Sequence, residues 1–337
     1  MKKDSVLVIG ACGQIGSELV PELRRVHGNF RVIAADRLPP ANGRLQAGPY
    51  EQLDVLDRNA LGALIDRYDI NQVYHLAATL SATGERNPQQ AWDLNMQGLL
   101  NVLGVAKEKR LARVFWPSSI AVFGPASPKT DCPQNTMQDP TTVYGISKSA
   151  GEQWCRYYYQ KYGVDTRSLR YPGLISHRTP PGGGTTDYAV DIFHQAIAAK
   201  TYTCFLQPDS RLPMMYMPDA IRATLRLMQA PLASLSVSDA YNLGAMSFTP
   251  AELAAAITRH LPSFHIDYAP DYRQTIADSW PGHLDDTAAR RDWGWNHEYE
   301  LAAMTRDMLL HLAIDQGELL ATPELLTIPE LRTSILS

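Results

Sequence analysis

A tyrosine and a lysine that could share a proton stand four residues apart, at Tyr144 and Lys148. On a helix they would lie on one face, one turn apart. An ammonium group near a phenol favours the phenolate and lowers a pKa that is about 10 in model peptides. Such a phenol can act as a base near neutral pH and take the proton of an alcohol. The same pair also arises by chance on solvated helix faces, so its meaning depends on the elements around it.

Two consecutive serines are the second group with possible chemistry. Ser118 and Ser119 follow an apolar run at 113–116 and a proline. A hydroxyl at this place could hold the substrate oxygen whose proton Tyr144 exchanges, and either serine could provide it. Alternatively, the two hydroxyls only cap the backbone of a local turn.

A strand, a glycine-rich turn and a helix are predicted near the start of the chain. The apolar run 6–9 is typical of a parallel strand covered on both faces, and residues 18–26 have a helical pattern. Between them, Gly10, Gly13 and Gly16 allow a tight turn and a close approach to a pyrophosphate at the helix N-terminus. Because the strand and the helix flank the glycines in the required order, the pattern predicts a dinucleotide site.

The next predicted strand, at 30–35, ends at Asp36, which is twenty residues beyond Gly16. A carboxylate there can accept hydrogen bonds from the adenosine ribose and repel a 2′-phosphate, so NAD is favoured over NADP. The neighbouring Arg37 could instead pair with that phosphate, or the two residues could form a surface pair without a role. Asp54 could approach the adenine or cap a helix or loop.

Strands and helices alternate through the rest of the first half. The predicted elements are strands at 53–56, 72–78, 113–116 and 163–170 and helices at 58–68 and 88–110. Asn95 lies in the second helix, and His75 lies inside a strand, where a satisfied core histidine is favoured over a base. The alternation predicts a Rossmann-type doubly wound parallel sheet of the α/β class. Ligands bind beyond the carboxyl ends of such strands, where the glycines, Asp36, Ala77, Ala78 and the serines fall.

The second half has a looser pattern. The loop 180–188 could be a flexible surface loop, a simple helix start, or a donor-rich cradle for an anion built from glycine amides and two hydroxyls. Strands near 202–206, 214–216 and 264–268 and a helix at 299–315 suggest a smaller α+β substrate-binding region. We therefore expect an NAD-binding domain at 1–175, which carries the serine, tyrosine and lysine. We expect a mainly substrate-binding region at 176–320, with some segments returning to the first domain, and a tail at 321–337.

The composition excludes several classes of protein. The chain has 337 residues, 45% of them hydrophobic, and a net charge of −4, so it can bury a large core and has no nucleic-acid footprint. No apolar run approaches the roughly 18–20 residues that span a bilayer, and the start does not have the pattern of a signal peptide. The four cysteines are scattered without a Cys-x-x-Cys pair, which argues against a zinc site and fits a reducing compartment. We expect a cytoplasmic protein with no membrane or nucleic-acid partner.

Four motifs in order resemble the short-chain dehydrogenase/reductases, in their extended, epimerase-like branch. They are the glycine turn at 10–16 and the segments 75–78, 118–124 and Tyr144-x-x-x-Lys148. Aligned on the serine motif, the catalytic serine of that family falls on Ser119. Phe123 stands where the family usually has tyrosine, a change in packing that leaves the chemistry intact.

The segments 180–188 and 271–295 resemble the L-threonine 3-dehydrogenases of the short-chain type, so the resemblance covers nearly the whole chain. It implies oxidation of the threonine hydroxyl by NAD to 2-amino-3-oxobutanoate without a metal, in threonine catabolism. It also implies a homodimer formed through helices near 88–110 and 142–162. The expected catalytic residues are Ser119, Tyr144 and Lys148. The expected cofactor-binding residues are Gly10, Gly13, Gln14, Ile15, Gly16, Asp36, Arg37, Asp54, Val55, Leu76, Ala77, Ala78, Asn95, Tyr144, Lys148 and Tyr171. The expected substrate-binding residues are Ser81, Ser118, Ser119, Tyr144, Gly184, Thr185, Thr186 and Trp280.

Two other functions use the same first half. An NDP-sugar epimerase or dehydratase would recycle bound NAD within one turnover. An NAD-sensing regulatory protein would bind the cofactor without needing Tyr144 and Lys148, and the intact set of serine, tyrosine and lysine argues against it.

Overall fold

A computed structural model describes residues 4–40 and 45–315. Its strands are β1 (Val6–Ile9), β2 (Val32–Asp36), β3 (Tyr50–Gln52), β4 (Gln72–His75), β5 (Arg113–Phe115), β6 (Ser118–Ser119), β7 (Thr166–Arg167), β8 (Leu169–Tyr171), β9 (Gly173–Ile175), β10 (Thr201–Cys204), β11 (Leu212–Tyr216), β12 (Tyr241–Asn242), β13 (Met246–Phe248) and β14 (His265–Tyr268). Its helices are α1 (Gly16–His27), α2 (Arg58–Arg67), α3 (Ser81–Gly84), α4 (Pro88–Trp92), α5 (Gly98–Lys109), α6 (Val143–Tyr162), α7 (Tyr188–Ala198), α8 (Met217–Gln229), α9 (Pro250–Thr258), α10 (Arg273–Ser279), α11 (Thr287–Trp293) and α12 (Leu301–Asp315). The predicted tail at 321–337, like residues 316–320, lies outside the described residues.

The centre of the fold is a six-stranded sheet in the order β3-β2-β1-β4-β5-β7, with every neighbouring pair parallel. Because side chains alternate along a strand, Val6 and Val8 pack on one face with α1 and α8, whereas Leu7 and Ile9 pack on the other with α2 and α5. Both faces of the sheet are therefore covered, and the predicted doubly wound α/β fold is confirmed.

Three small sheets extend the structure beyond this core. They have the orders β12-β8-β6, β13-β11-β9 and β10-β14. The first sheet joins both halves of the chain, because Tyr241 and Asn242 pair in parallel with Leu169 and Arg170. The predicted domain boundary at residue 175 remains a prediction.

Several predicted elements have different bounds in the structure. The strand expected at 30–35 starts at Val32, because Asn29–Arg31 form a 3-10 turn after Gly28, whose φ is 93°. The strand expected at 53–56 ends earlier, at Gln52. The strand expected at 163–170 is divided at Ser168 into two strands that belong to different sheets. The helix expected at 88–110 contains a π-helical segment at Asp93–Gln97, a feature that is frequent at functional sites.

Candidate active site

A cleft of about 580 Å³ lies at the carboxyl end of the central sheet, where β1, β2 and β4 end. We call it the glycine-turn cleft. Nine of the predicted cofactor-binding residues line it: Gly10, Gly13, Asp36, Arg37, Asp54, Val55, Leu76, Ala77 and Ala78. The cleft therefore brings together residues that follow the four strands β1 to β4 and are far apart in the sequence, as the rule for parallel sheets requires.

Two glycines form a cradle that has no room for a side chain. Gly10 has a φ of 83°, and a Cβ there would lie 2.6 Å from the backbone nitrogen of Ala77. A Cβ on Gly16 would overlap the carbonyl oxygen of Gly10 and lie 2.7 Å from the Cα of Ala11. Gly10 and Gly13 line the glycine-turn cleft and α1 begins at Gly16 directly after them, an arrangement that suits a pyrophosphate.

Asp36 stands at the end of β2 beside this cradle. Its Oδ2 accepts the backbone N–H of Cys12 at 2.9 Å, and its Oδ1 accepts the N–H of Leu38 at 3.3 Å. Because each carboxylate oxygen has more than one acceptor site, Asp36 can still bind the hydroxyls of a ribose. Asp54 also lines the cleft, and its Oδ1 accepts the N–H of Leu56 at 2.9 Å, so it caps a local turn as well.

A smaller cavity of about 140 Å³ lies next to the cleft, and Leu76 and Ala78 border both. We call it the tyrosine cavity. All eight predicted substrate-binding residues line it: Ser81, Ser118, Ser119, Tyr144, Gly184, Thr185, Thr186 and Trp280. The predicted cofactor residues Gln14, Ile15, Lys148 and Tyr171 line it too. The two predicted sites are therefore adjacent, and they meet at the tyrosine and the lysine.

Helix α6 places Tyr144 and Lys148 in the wall of the tyrosine cavity. Its first turn is capped by Thr142, whose Oγ1 accepts the N–H of Gly145 at 3.0 Å. A Cβ on Gly145 would overlap the carbonyl oxygen of Ala121, so the glycine lets the helix lie directly against the segment that follows the two serines. This close approach brings the Tyr144 hydroxyl within hydrogen-bonding reach of Ser119.

Lys148 is buried below the tyrosine ring. Its Nζ donates to the carbonyl oxygen of Pro117 at 2.6 Å, lies 4.4 Å from the centre of the Trp116 ring, and lies 5.4 Å from the centre of the Tyr144 ring. Burial lowers the pKa of Lys148 to about 7, although Cys155 and Glu152 oppose the change. An ammonium with this pKa is easily deprotonated, which suits a group that shares a proton with its neighbours.

The pKa of Tyr144 differs from the expectation drawn from sequence. Burial raises it to about 12, and the hydrogen bond with Ser119 opposes this rise. The expected lowering by Lys148 is absent because desolvation of the phenolate dominates and because the ammonium donates to Pro117. The phenol is therefore protonated at neutral pH when the site holds no further positive charge.

The two serines have different surroundings. The Ser118 hydroxyl donates to Oε1 of Glu152 at 2.5 Å, whereas the half-buried Ser119 faces Tyr144. Glu152 is also paired with Arg170, whose Nη2 lies 2.8 Å from Oε2, and both side chains are nearly inaccessible. The structure thus distinguishes the serines, which the sequence alone left open.

The glycine amides of the loop 180–188 are not free to bind an anion. The N–H groups of Gly182, Gly183 and Gly184 all donate to Oδ2 of Asp187, at 2.7, 2.7 and 2.8 Å. The cradle predicted for an external anion therefore already holds a carboxylate of the same chain. The predicted hydroxyl donors differ from these amides. Oγ1 of Thr185 is buried in the wall of the cavity and has no hydrogen-bond partner among the described residues.

A comparison with known protein families shows where the chain belongs. Residues 6–244 match the model of the NAD dependent epimerase/dehydratase family. This chain belongs to that family.

Relatives of this family cover nearly the whole chain. An uncharacterized epimerase/dehydratase from Staphylococcus haemolyticus is 49% identical over 94% of this chain and 99% of its own. Among solved structures, the holo form of a GalE-like L-threonine dehydrogenase from Cupriavidus necator is 57% identical. It covers 91% of this chain and 99% of its own, with a TM-score of 0.89. A monomeric L-threonine 3-dehydrogenase of metagenomic origin is 48% identical, over 91% and 98%, with a TM-score of 0.88. The predicted resemblance to short-chain threonine dehydrogenases is confirmed.

Three residues that the sequence singled out are buried in the protein interior. Asn95, in the π-helical segment, accepts from the N–H of Thr79 at 2.8 Å and donates to the Thr79 carbonyl oxygen and to Ser147. The Tyr171 hydroxyl is hydrogen-bonded to Thr224. His75 is buried as expected, but neither ring nitrogen has a partner among the described residues, and burial lowers its pKa to about 3. It is therefore a neutral core residue without the hydrogen bonds expected of one.

Sequence reasoning missed several residues that line the two cavities. In the glycine-turn cleft they include Thr79, Thr83, Asn87 and Gln90, and in the tyrosine cavity they include Leu80, Ile120, Pro172, Leu174 and Asp187. Most are ordinary residues of short helices and turns, which carry no pattern of their own. Asp187 was the exception, since an aspartate that follows three glycines and two threonines could have been predicted to bind the loop amides.

Proposed function

We propose that this protein is an NAD-dependent L-threonine 3-dehydrogenase that oxidises the 3-hydroxyl to give 2-amino-3-oxobutanoate. The observation that carries the proposal is the tyrosine cavity, in which Tyr144 and Ser119 face the same space beside the glycine-turn cleft. Its volume of about 140 Å³ is below the roughly 300–1,000 Å³ of sites that take drug-sized ligands, so a small substrate is favoured. The threonine dehydrogenases among the solved relatives support this choice.

The mechanism assigns a separate task to each catalytic residue. Tyr144 accepts the proton of the substrate hydroxyl as the carbon–hydrogen bond beside it breaks. Ser119 donates a hydrogen bond to the same oxygen and keeps it in place. Lys148 stabilises the phenolate form of Tyr144 by its positive charge. The residues of the glycine-turn cleft would hold NAD, which would supply the hydride acceptor and a positive charge.

The state of Tyr144 fixes the direction of the pH dependence. Its pKa is raised to about 12 in the free protein, and the phenolate is the reactive form. The positive charge that bound NAD would add lowers the pKa of the phenol, whereas Lys148 alone does not lower it in the free protein. We therefore infer that turnover increases with pH across the acidic limb of the profile, as the Tyr144–Lys148 pair loses a proton.

The substrate end of the cavity suits a zwitterion. Thr185 presents a buried hydroxyl that has no partner among the described residues, and Thr186 and Ser81 add two more hydroxyls to the same wall. We propose that these groups, with Trp280, bind the amino-acid substrate.

This assignment is tested by measuring NADH formation with a panel of hydroxy-amino acids. L-threonine should give the highest turnover, and a clear preference for another hydroxy-amino acid would contradict it.

Asp36 should determine the choice of cofactor. Replacing Asp36 with Ala is expected to weaken the binding of NAD more than that of NADP, because the carboxylate accepts from the ribose and repels the 2′-phosphate. The measurement is the dissociation constant of each cofactor by calorimetry. Asp54→Ala, from the same cleft, is the comparison: a residue near the adenine, which both cofactors share, should affect NAD and NADP equally. An equal loss for both cofactors in the Asp36 variant would remove Asp36 from cofactor choice.

We also propose that the protein is a homodimer. Trp154, Tyr157 and Tyr162 are 38–41% exposed on α6, and a groove of about 450 Å³ runs along that helix. Light scattering is expected to give twice the mass of one chain. A monomer would refute the proposal, and a solved relative described as monomeric shows that this outcome is possible in the family.

We place the reaction in threonine catabolism and the protein in the cytoplasm, where its four free cysteines would stay reduced. Among the described residues no group of three His, Cys, Asp or Glu side chains is placed to hold a metal ion. None of the helices in the described ranges is both long and apolar enough to cross a membrane.

A further inference from the structure

One face of α6 carries three side chains that contact the active site or the residues next to Ser119. Tyr144, Lys148 and Glu152 follow each other at intervals of four residues, so they are stacked along one side of the helix. The segment 117–119, which contains strand β6, lies against this side. Lys148 holds the carbonyl oxygen of Pro117 and Glu152 holds the hydroxyl of Ser118. Helix α6, which carries Tyr144, is therefore hydrogen-bonded at two places to the segment that carries Ser119.

The Glu152 carboxylate accepts four hydrogen bonds from buried or half-buried donors. Oε1 accepts from Ser118 at 2.5 Å and from Nε of Arg170 at 2.9 Å. Oε2 accepts from Gln138 at 2.5 Å and from Nη2 of Arg170 at 2.8 Å. Only a carboxylate can accept from all four donors, since a carboxamide would turn an N–H₂ group towards one pair of them. The shape of the network therefore depends on the charge of Glu152.

The mechanism proposed above uses Ser119, Tyr144 and Lys148 and leaves this network unexplained. We propose that Glu152 is a positioning residue of the active site, which fixes the segment 117–119 through the Ser118 hydroxyl and so aligns Ser119 with Tyr144. Ser118 is then a positioning residue rather than a ligand of the substrate. For its kinetic readouts the proposal rests on the dehydrogenase function.

Glu152 also contributes to the charge around Lys148. Within the described ranges, the ionisable groups that face the ammonium are Glu152, Cys155 and Tyr144 on its own helix and His75 at the end of β4. Glu152 and Cys155 favour the charged form of Lys148, which opposes the effect of burial. His75 is neutral, because burial keeps its pKa near 3. Glu152 is therefore the one carboxylate in this set.

Removing the negative charge of Glu152 should shift the titration of Lys148 in a predictable direction. Glu152→Gln leaves the guanidinium of Arg170 buried and without its carboxylate. The remaining positive charge disfavours a second cation and favours a phenolate nearby. The titration of Lys148 should therefore move to lower pH, and the acidic limb of the turnover profile should move in the same direction.

The first experiment compares Ser118→Ala with Ser118→Thr, which keeps the hydroxyl. Ser118→Ala leaves Glu152 paired with Arg170, so the fold is expected to persist. The kcat for threonine should fall about 10- to 100-fold, because a misplaced catalytic group costs that much, while KM stays close to that of the wild type. Ser118→Thr should recover most of the loss, and Ser234→Ala, which removes an exposed hydroxyl, should behave like the wild type. Unchanged kcat in Ser118→Ala, or a raised KM with unchanged kcat, would overturn the proposal.

The second experiment has a readout that does not depend on activity. Lysine ¹³Cε resonances are followed against pH in the full-length protein, with Lys148 assigned by Lys148→Arg. Glu152→Gln should shift the Lys148 titration to lower pH, whereas Ser118→Ala and the surface variant Glu108→Gln should leave it unchanged. If Lys148 titrates at the wild-type pH in a folded Glu152→Gln protein, the proposed effect of the Glu152 charge on Lys148 is overturned. If the Glu152 variant does not fold, the serine pair still decides the positioning role. A wild type that forms no NADH from threonine would instead refute the proposed function and leave the titration result standing.

Discussion

Replacing Tyr144 with Phe should reduce turnover with L-threonine by at least about 100-fold, because general acid–base catalysis typically contributes 10²–10⁴-fold. The phenylalanine ring keeps the packing but has no hydroxyl to accept the substrate proton. Ser119 and Lys148 would remain in place, so the binding of NAD should be nearly unchanged. Steady-state kinetics and cofactor titration on the same preparation measure both quantities.

The control for this variant lies on the same helix. Tyr157 is 41% exposed on the outer side of α6, and Tyr157→Phe removes a hydroxyl without approaching the tyrosine cavity. It should keep the turnover of the wild type. Wild-type turnover in Tyr144→Phe would remove Tyr144 from the chemistry, and a loss of NAD binding as large as the loss of turnover would indicate a structural defect instead.

Replacing Arg170 with Met should lower the free energy of unfolding by about 3–5 kcal/mol, the usual cost of leaving one partner of a buried ion pair uncompensated. Arg170 and Glu152 are 4% and 2% exposed. Arg170 also donates to the carbonyl oxygen of Gln134 and to Oδ1 of Asn242, at 2.9 and 3.0 Å. The substitution therefore leaves several acceptors unpaired as well as a charge. Denaturant unfolding measures the change.

Arg25→Met is the matched control for this prediction. Arg25 pairs with Glu22 on the surface of α1, where the side chains are 72% and 42% exposed. Exposed pairs of this kind contribute about 0–1 kcal/mol. If Arg170→Met were to lose no more stability than Arg25→Met, the buried pair of Arg170 and Glu152 would not stabilise the fold.

The sequence predicted the parts of the site that depend on local pattern. The glycine turn, Asp36 and the Tyr144–Lys148 pair each belong to a strand, turn or helix whose residues lie close together in the chain. The rule that parallel strands bind ligands at their carboxyl ends then placed the glycine turn, Asp36 and the two serines at one edge. No contact between distant residues was needed for that step.

The parts that sequence could not predict depend on contacts across the fold. Glu152 and Arg170 lie eighteen residues apart on different elements, and nothing in either segment marks them as partners. The pKa of Tyr144 depends on how deeply the ring is buried, which no spacing reveals. Asp187 competes for the loop amides by a side-chain turn, a choice that the loop geometry decides.

The most direct test of the account is the fate of NAD when the purified wild-type protein is given L-threonine or, separately, a UDP-sugar. Net NADH should accumulate with threonine in step with 2-amino-3-oxobutanoate, and the UDP-sugar should be recovered unchanged. Conversion of the UDP-sugar without net NADH, together with no NADH from threonine, would contradict the account and show that the tyrosine cavity serves a sugar-nucleotide enzyme.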